Sequence, residues 1–313
     1  MSPPRILRVA WVARPKVYPP RTWALILALD RLPWPLGEEL LVTLFIARAF
    51  VRIERLRQAL AWASTQRTTR IGRWRLALAV CAMHGRFVAR SALTGIRDVA
   101  ALRRLVCLRG AEHLATSGSG LILLGFHLGP TSPHQVLRIA GHRVTWIGGP
   151  GSAPEAWPRE LRHICESARE TTTRLHQPSW LRALYHARRL LMNGGNVFIT
   201  ADGGRVTTTA FEVPVPGATV GVRGGWLFLR EITGAPVLPV LSHMEGRTHV
   251  VTVHPALPPR CADPVRDLEN CRERITALLS DHIRRFPEQC YGLAFNPQAY
   301  APTGAGSEEL TYG

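Results

Sequence analysis

Apolar positions along this chain change their rhythm near residue 105. Before it they recur at helical spacing, and after it they gather in short solid runs. From about 36 to 64 the pattern is helical. Arg48, Arg52 and Arg55 fall at i, i+4 and i+7 on one face, with Leu44, Phe50, Val51 and Ile53 away from it. More helical pattern fills 70–105. Then come "LILLGF" at 121–126, "RVTWIG" at 143–148, "NVFIT" at 196–200, "VLPVL" at 237–241 and "HVVTV" at 249–253. Runs of this kind, separated by helix-length segments, predict strands buried on both faces of a sheet. The stretch "VRGGWLFLREIT" at 222–233 reads as a helix stopped by Gly234 and Pro236. A helix over about 266–286 carries Leu268, Cys271, Ile275, Leu278 and Ile283 on one stripe and ends at Pro287. The predicted fold class is α/β: a mostly parallel central sheet flanked by helices, with an N-terminal helical region. The chain divides into a helical stretch (1–105), an α/β core (106–297) and a flexible tail (298–313).

Composition narrows the function classes. At 313 residues, 46% hydrophobic and 19% charged, the chain can bury a sizeable core and is not a disordered one. The formal charge is +17, carried almost wholly by arginine, since Lys16 is the only lysine. A GC-rich genome explains arginine in place of lysine but not the excess over acids. Such a surplus attracts phosphate in lipids, nucleotides or acidic carrier proteins. Nucleic acid is disfavoured as a partner, because no aromatic residues interleave with the arginines and no binding motif is present. The six cysteines show no C-x-x-C pair and no zinc spacing, so no metal and reduced thiols in a cytoplasmic setting are expected. No signal peptide is evident, and no stretch reaches the roughly 18–20 apolar residues of a membrane span. The 36–64 pattern admits two readings. It is a basic amphipathic helix lying in a membrane interface, or a surface helix packed on the core.

The candidate chemistry sits where strands end. In open α/β sheets ligands and reactive groups gather at the carboxyl ends of strands. His127 follows "LILLGF" directly, flanked by Gly125 and Gly129, which would let a substrate approach closely. Ser132 reads as the N-cap of a helix with Pro133 at its first position and Gln135 as capping-box partner. A weak acceptor for His127 and a nucleophile are its other possible roles. His134 reads as a helix-surface residue. Asp202 follows "NVFITA" and should stand at a strand end like His127; the alternative is a plain turn aspartate in "ADGG". Gly203 and Gly204 expose backbone N–H groups, and Arg205 adds a charge suited to phosphate. Arg223, entering the 222–233 helix, is a second candidate for phosphate or pantetheine.

Five segments in order resemble the bacterial lipid A biosynthesis (lauroyl/myristoyl-type) acyltransferases, within the lysophospholipid acyltransferase superfamily. They are "CLRGAEHLATSGSGLILLGFHLGPTS", "GHRVTWIGGP", "LLMNGGNVFITADGGR", "VPVPGATVGVRGGWLFLREITGAPVLPVL" and "IRRFPEQCYGL", and the resemblance runs from about 30 to 295. It implies a His-x4-Asp/Glu dyad that takes the proton of an acceptor hydroxyl or amine as that group attacks an acyl thioester. No cofactor is implied. The partners implied are acyl-carrier protein or a coenzyme A thioester and an anionic membrane lipid, at the cytoplasmic face of the inner membrane as a peripheral protein. His127 matches the histidine, but the acid position is Ser132, which makes Asp202 the candidate replacement carboxylate. The rival expectation is a catalytically impaired member that binds or presents lipid.

Overall fold

The computed structural model describes residues 34–93, 103–115, 120–130, 133–147, 180–202 and 209–297. The first three helices are α1 (Trp34–Val51), α2 (Ile53–Gln66) and α3 (Arg70–Leu93). The 36–64 segment is therefore not one helix. Arg52 takes φ −100° and ψ 79°, outside helical geometry, and separates α1 from α2.

The sheet follows with β1 (Val106–Arg109), β2 (Ile122–Gly125), β3 (Thr145–Ile147), β4 (Val197–Thr200), β7 (Val237–Glu245) and β8 (Thr248–Val253), in spatial order β1-β8-β7-β2-β4-β3. All neighbours run parallel except the β7–β8 hairpin. Helices α4 (Pro133–Ile139) and α5 (Trp180–Met192) lie in the connections between β2 and β4. β1 had no signature in the apolar pattern because its side chains are half-buried or exposed.

Strand β2 shows why the apolar runs are solid. Ile122 and Leu124 join one core with Ala183 and Ala187 of α5, while Leu121 and Leu123 join another with Val136 and Leu137 of α4. With protein on both sides, neither alternate position can be polar. The first of these cores also takes in Ala59, Trp62 and Ala63 of α2 and Val80 of α3. Trp62 Nε1–H donates to the Pro287 carbonyl at 2.9 Å, so helices and sheet share one interior on either side of residue 105.

A separate antiparallel hairpin, β5 (Thr209–Val215) and β6 (Ala218–Arg223), turns at Gly217 with φ +79°. It takes the first two residues of the expected 222–233 helix. Val222 and Arg223 end β6, and α6 begins at Gly225 and stops at Thr233, with Gly234 left-handed at φ 65°. Helix α7 (Pro264–Arg285) is capped by the Asp263 carboxylate, which accepts from Val265 N–H at 2.9 Å. Its stripe buries Cys271, Ile275, Leu279, His282 and Ile283, with Leu268 and Leu278 half-buried at the margin. A short α8 (Tyr291–Phe295) closes the described chain.

Candidate active site

The parallel register of β2 and β4 builds the site. Gly125 pairs with Thr200, and Ala201 N–H donates to the Gly125 carbonyl at 2.9 Å. Two residues beyond that pair on each strand stand His127 and Asp202. Equal offsets from a parallel pair bring two carboxyl-end residues together, where open α/β sheets collect their chemistry.

Asp202 holds His127 by main chain and side chain. His127 N–H donates to both carboxylate oxygens, at 2.9 Å and 2.8 Å. The ring nitrogen Nδ1 lies 3.0 Å from Asp202 Oδ1 and 3.1 Å from the Asp202 carbonyl. Both groups facing Nδ1 are acceptors, which assigns the ring proton to that nitrogen and the basic lone pair to Nε2. The carboxylate is 2% exposed, whereas the imidazole keeps 36% of its side-chain surface. Burial lowers the imidazole's pKa. The Asp202 charge and the hydrogen bonds to its side chain and backbone raise it, and the net displacement from 6.5 is upward. An oriented imidazole with its proton on Nδ1, backed by a buried carboxylate, is the arrangement a general base requires.

Arg223 sits beside this pair. Its N–H donates to the Ala201 carbonyl at 2.7 Å and its guanidinium to Thr209 Oγ1 at 3.0 Å. Burial pulls its pKa down against the opposing charge of Asp202. It is a strand-end residue, not part of the following helix, and is only 5% exposed. That position gives a fixed, buried positive charge beside Asp202.

The glycines have a different duty from the one read in the sequence. A Cβ on Gly125 would stand 2.2 Å from the Phe198 ring, and one on Gly129 would stand 1.8 Å from the Ser242 carbonyl oxygen. Both glycines are buried. The space they leave is filled by protein, so they shape the turn instead of admitting a substrate. Ser242 Oγ–H donates to the Pro130 carbonyl at 2.7 Å and fixes the turn after His127 from the neighbouring strand β7. The sequence offered no signal for that contact. His134 is also corrected: it is 3% exposed and stacks on Trp146 with ring centroids 4.8 Å apart. Ser132, Gly203, Gly204 and Arg205 lie outside the described residues. Among the described residues no group of His, Cys, Asp and Glu could hold a metal ion, and no helix is long and apolar enough to cross a membrane.

No protein-family model matches this chain, and neither does any curated protein sequence. Among solved structures, it is similar to the 1-acyl-sn-glycerophosphate (LPA) acyltransferase PlsC of Thermotoga maritima. The match has a TM-score of 0.36 and 15% identity, and covers 78% of this chain and 96% of that one. At that degree of likeness, only the residues of the site itself speak to its chemistry.

Proposed function

We propose that this protein is a membrane-associated acyltransferase that moves a fatty acyl chain from acyl-carrier protein or coenzyme A to a hydroxyl or amine of a lipid or glycolipid. The observation that carries the reading is the contact between His127 Nδ1 and the buried Asp202 carboxylate, 3.0 Å long. In this account Nε2 of His127 takes the acceptor's proton as the acceptor oxygen or nitrogen attacks the thioester carbonyl. Asp202 holds the ring in the Nδ1–H tautomer and stabilises the imidazolium that forms. When the carbon–sulfur bond breaks, the imidazolium returns the proton to the departing thiolate. Arg223 contributes positive charge for a phosphate on the acceptor or on the pantetheine carrier.

The sequence resemblance supplies the choice of acyl chemistry, and the +17 formal charge suits an acidic carrier and an anionic surface. A peripheral position at the cytoplasmic face of the inner membrane belongs to the same proposal. The N-terminal helices are its docking region, with Leu36, Leu40, Leu44 and Val51 exposed along α1. The competing lipid-binding role takes its support from Ser132 at the acid position, and the contact of Asp202 with His127 favours the catalytic reading over it.

The test is thiol release from a long-chain acyl thioester in the presence of a lipid acceptor. Wild-type protein should turn over, and His127→Ala should lower the rate by at least about 10²-fold without loss of folding. Turnover by His127→Ala equal to that of the wild type would sink the assignment.

A further inference from the structure

Away from His127 the helical region carries a second feature. Helices α1, α2, α3 and α8 line an open cleft walled by Phe45, Arg48, Ala49, Arg55, Cys81, His84 and Phe295. Its floor is apolar and aromatic: His84 stacks on Tyr291 at 5.2 Å and meets Phe45 edge-on at 5.2 Å. Its mouth is cationic. Arg48 lies 5.9 Å from the Phe45 ring centre, and Arg55 lies 5.0 Å from that of Phe295. Both guanidiniums are thereby steered onto one opening.

Among the described residues these two arginines have no acidic counterpart in place. The carboxylates at the start of α1 are engaged elsewhere, since Arg86 pairs with Glu38 and Glu39. Among the described residues neither Arg48 nor Arg55 pairs with a carboxylate. Like charges brought together repel, and the effect is visible on their neighbours. Burial lowers the pKa of Arg48, followed by the charges of Arg52 and Arg55. Burial, with Arg55 and Arg48, holds His84 at about 4. An anion at the mouth would relieve that repulsion.

The surroundings indicate which anion. On the same helix Leu36, Leu40, Leu44 and Val51 are 51%, 40%, 44% and 84% exposed, at positions that share one stripe. Ile53, just past the break, is 58% exposed. A bare inorganic ion has no use for an apolar floor or for an apolar stripe at its side. An amphiphile has use for both.

We propose that the Arg48–Arg55–His84 cleft binds the phosphate of an anionic phospholipid, with the glycerol and the first acyl carbons against Phe45 and Phe295. The two arginines hold the phosphate oxygens, and the exposed stripe of α1 enters the adjoining acyl region. This deepens the membrane-surface reading and is independent of the chemistry at His127.

The experiment is co-sedimentation of the full chain with phosphatidylcholine vesicles, with and without phosphatidylglycerol. The wild type is compared with Arg48→Gln/Arg55→Gln and with Arg52→Gln/Arg57→Gln. The second pair removes the same charge from the same segment but lies outside the cleft. The cleft variant should lose about thirtyfold in affinity for phosphatidylglycerol vesicles, and the control pair less than about fivefold. Inorganic phosphate should displace the wild type no better than sodium chloride at equal ionic strength. Equal losses in the two variants would overturn the cleft and leave only diffuse charge. Displacement specific to inorganic phosphate would overturn the lipid as its occupant. Binding that ignores phosphatidylglycerol altogether would overturn the cleft but keep membrane docking, and binding to neither vesicle would overturn both.

Discussion

Asp202 grips His127 from two directions at once, through the N–H that fixes the backbone and through Nδ1 that fixes the ring. The two residues are 75 positions apart in sequence and meet because β2 and β4 run parallel with Gly125 opposite Thr200. The carboxylate reaches the ring from the end of the neighbouring strand, and in the proposed reaction it would take the duty that the resemblance assigns to a residue five positions after the histidine. This contact also ties the site to the sheet, since Asp202 sits one residue beyond the Ala201 N–H bond to Gly125.

The two candidate acids should therefore differ in their effect on rate. Asp202→Ala should lower acyl transfer by about 10²- to 10⁴-fold, because the ring loses its orienting carboxylate and the charge that stabilises its protonated form. Ser132→Ala should cost less than about tenfold. The same thioester assay measures both. A larger loss at Ser132 than at Asp202 would transfer the orienting role to the serine.

Gly129 should be intolerant of any side chain. Its φ of +78° disfavours a Cβ, and that Cβ would meet the Ser242 carbonyl oxygen, which belongs to a central strand and cannot yield. Gly129→Ala should destabilise the fold by more than about 3 kcal/mol, combining backbone strain with overpacking. Gly141 is the comparison. Its φ is +97°, yet nothing lies within 4 Å of the added carbon, so Gly141→Ala should cost only about 1–2 kcal/mol. Urea denaturation of the two variants separates collision from conformation.

Acid should weaken the fold before it reaches the carboxylates. Burial, helped by neighbouring positive groups, lowers His282 to about 3 and His84 to about 4. In the unfolded chain both take up protons near 6.5. Between 6.5 and about 4 the unfolded state binds protons that the folded state refuses, so stability present above 6.5 is lost as pH falls through that window. His127 works in the opposite sense. Its raised pKa stabilises the fold below 6.5, and that contribution is lost as pH rises through the folded value. Two depressed groups outweigh one raised group, so the urea midpoint should drop from pH 7 to pH 5. His282→Leu should flatten the dependence, and a midpoint indifferent to pH in the wild type would contradict it.

The central strands were legible in the sequence because burial on both faces leaves solid apolar runs such as "LILLGF" and "NVFIT". The strand-end positions of His127 and Asp202 were legible for a related reason, since each stands close behind such a run, two residues beyond the paired Gly125 and Thr200. The β5–β6 hairpin was missed although "FEVPV" alternates. Its second strand runs directly into α6, and the apolar residues of "VRGGWLFL" read as one helix when β6 in fact ends at Arg223. The break at Arg52 was illegible because neither proline nor glycine marks it, and arginine sits readily in a helix. His134 looked like a surface residue because its burial depends on Trp146, which comes from a different strand.

The pH dependence of acyl transfer, compared between wild type and Asp202→Asn, tests the base assignment most directly. The imidazole must be neutral to accept a proton, and Asp202 raises its pKa above 6.5. The wild-type rate should climb with pH through a midpoint above 6.5. Asp202→Asn keeps the size and most hydrogen bonds of the side chain but removes the charge, leaving burial to act. Its midpoint should fall below that of the wild type, with a plateau about 10²- to 10⁴-fold lower. An unchanged midpoint and plateau in Asp202→Asn would contradict the account.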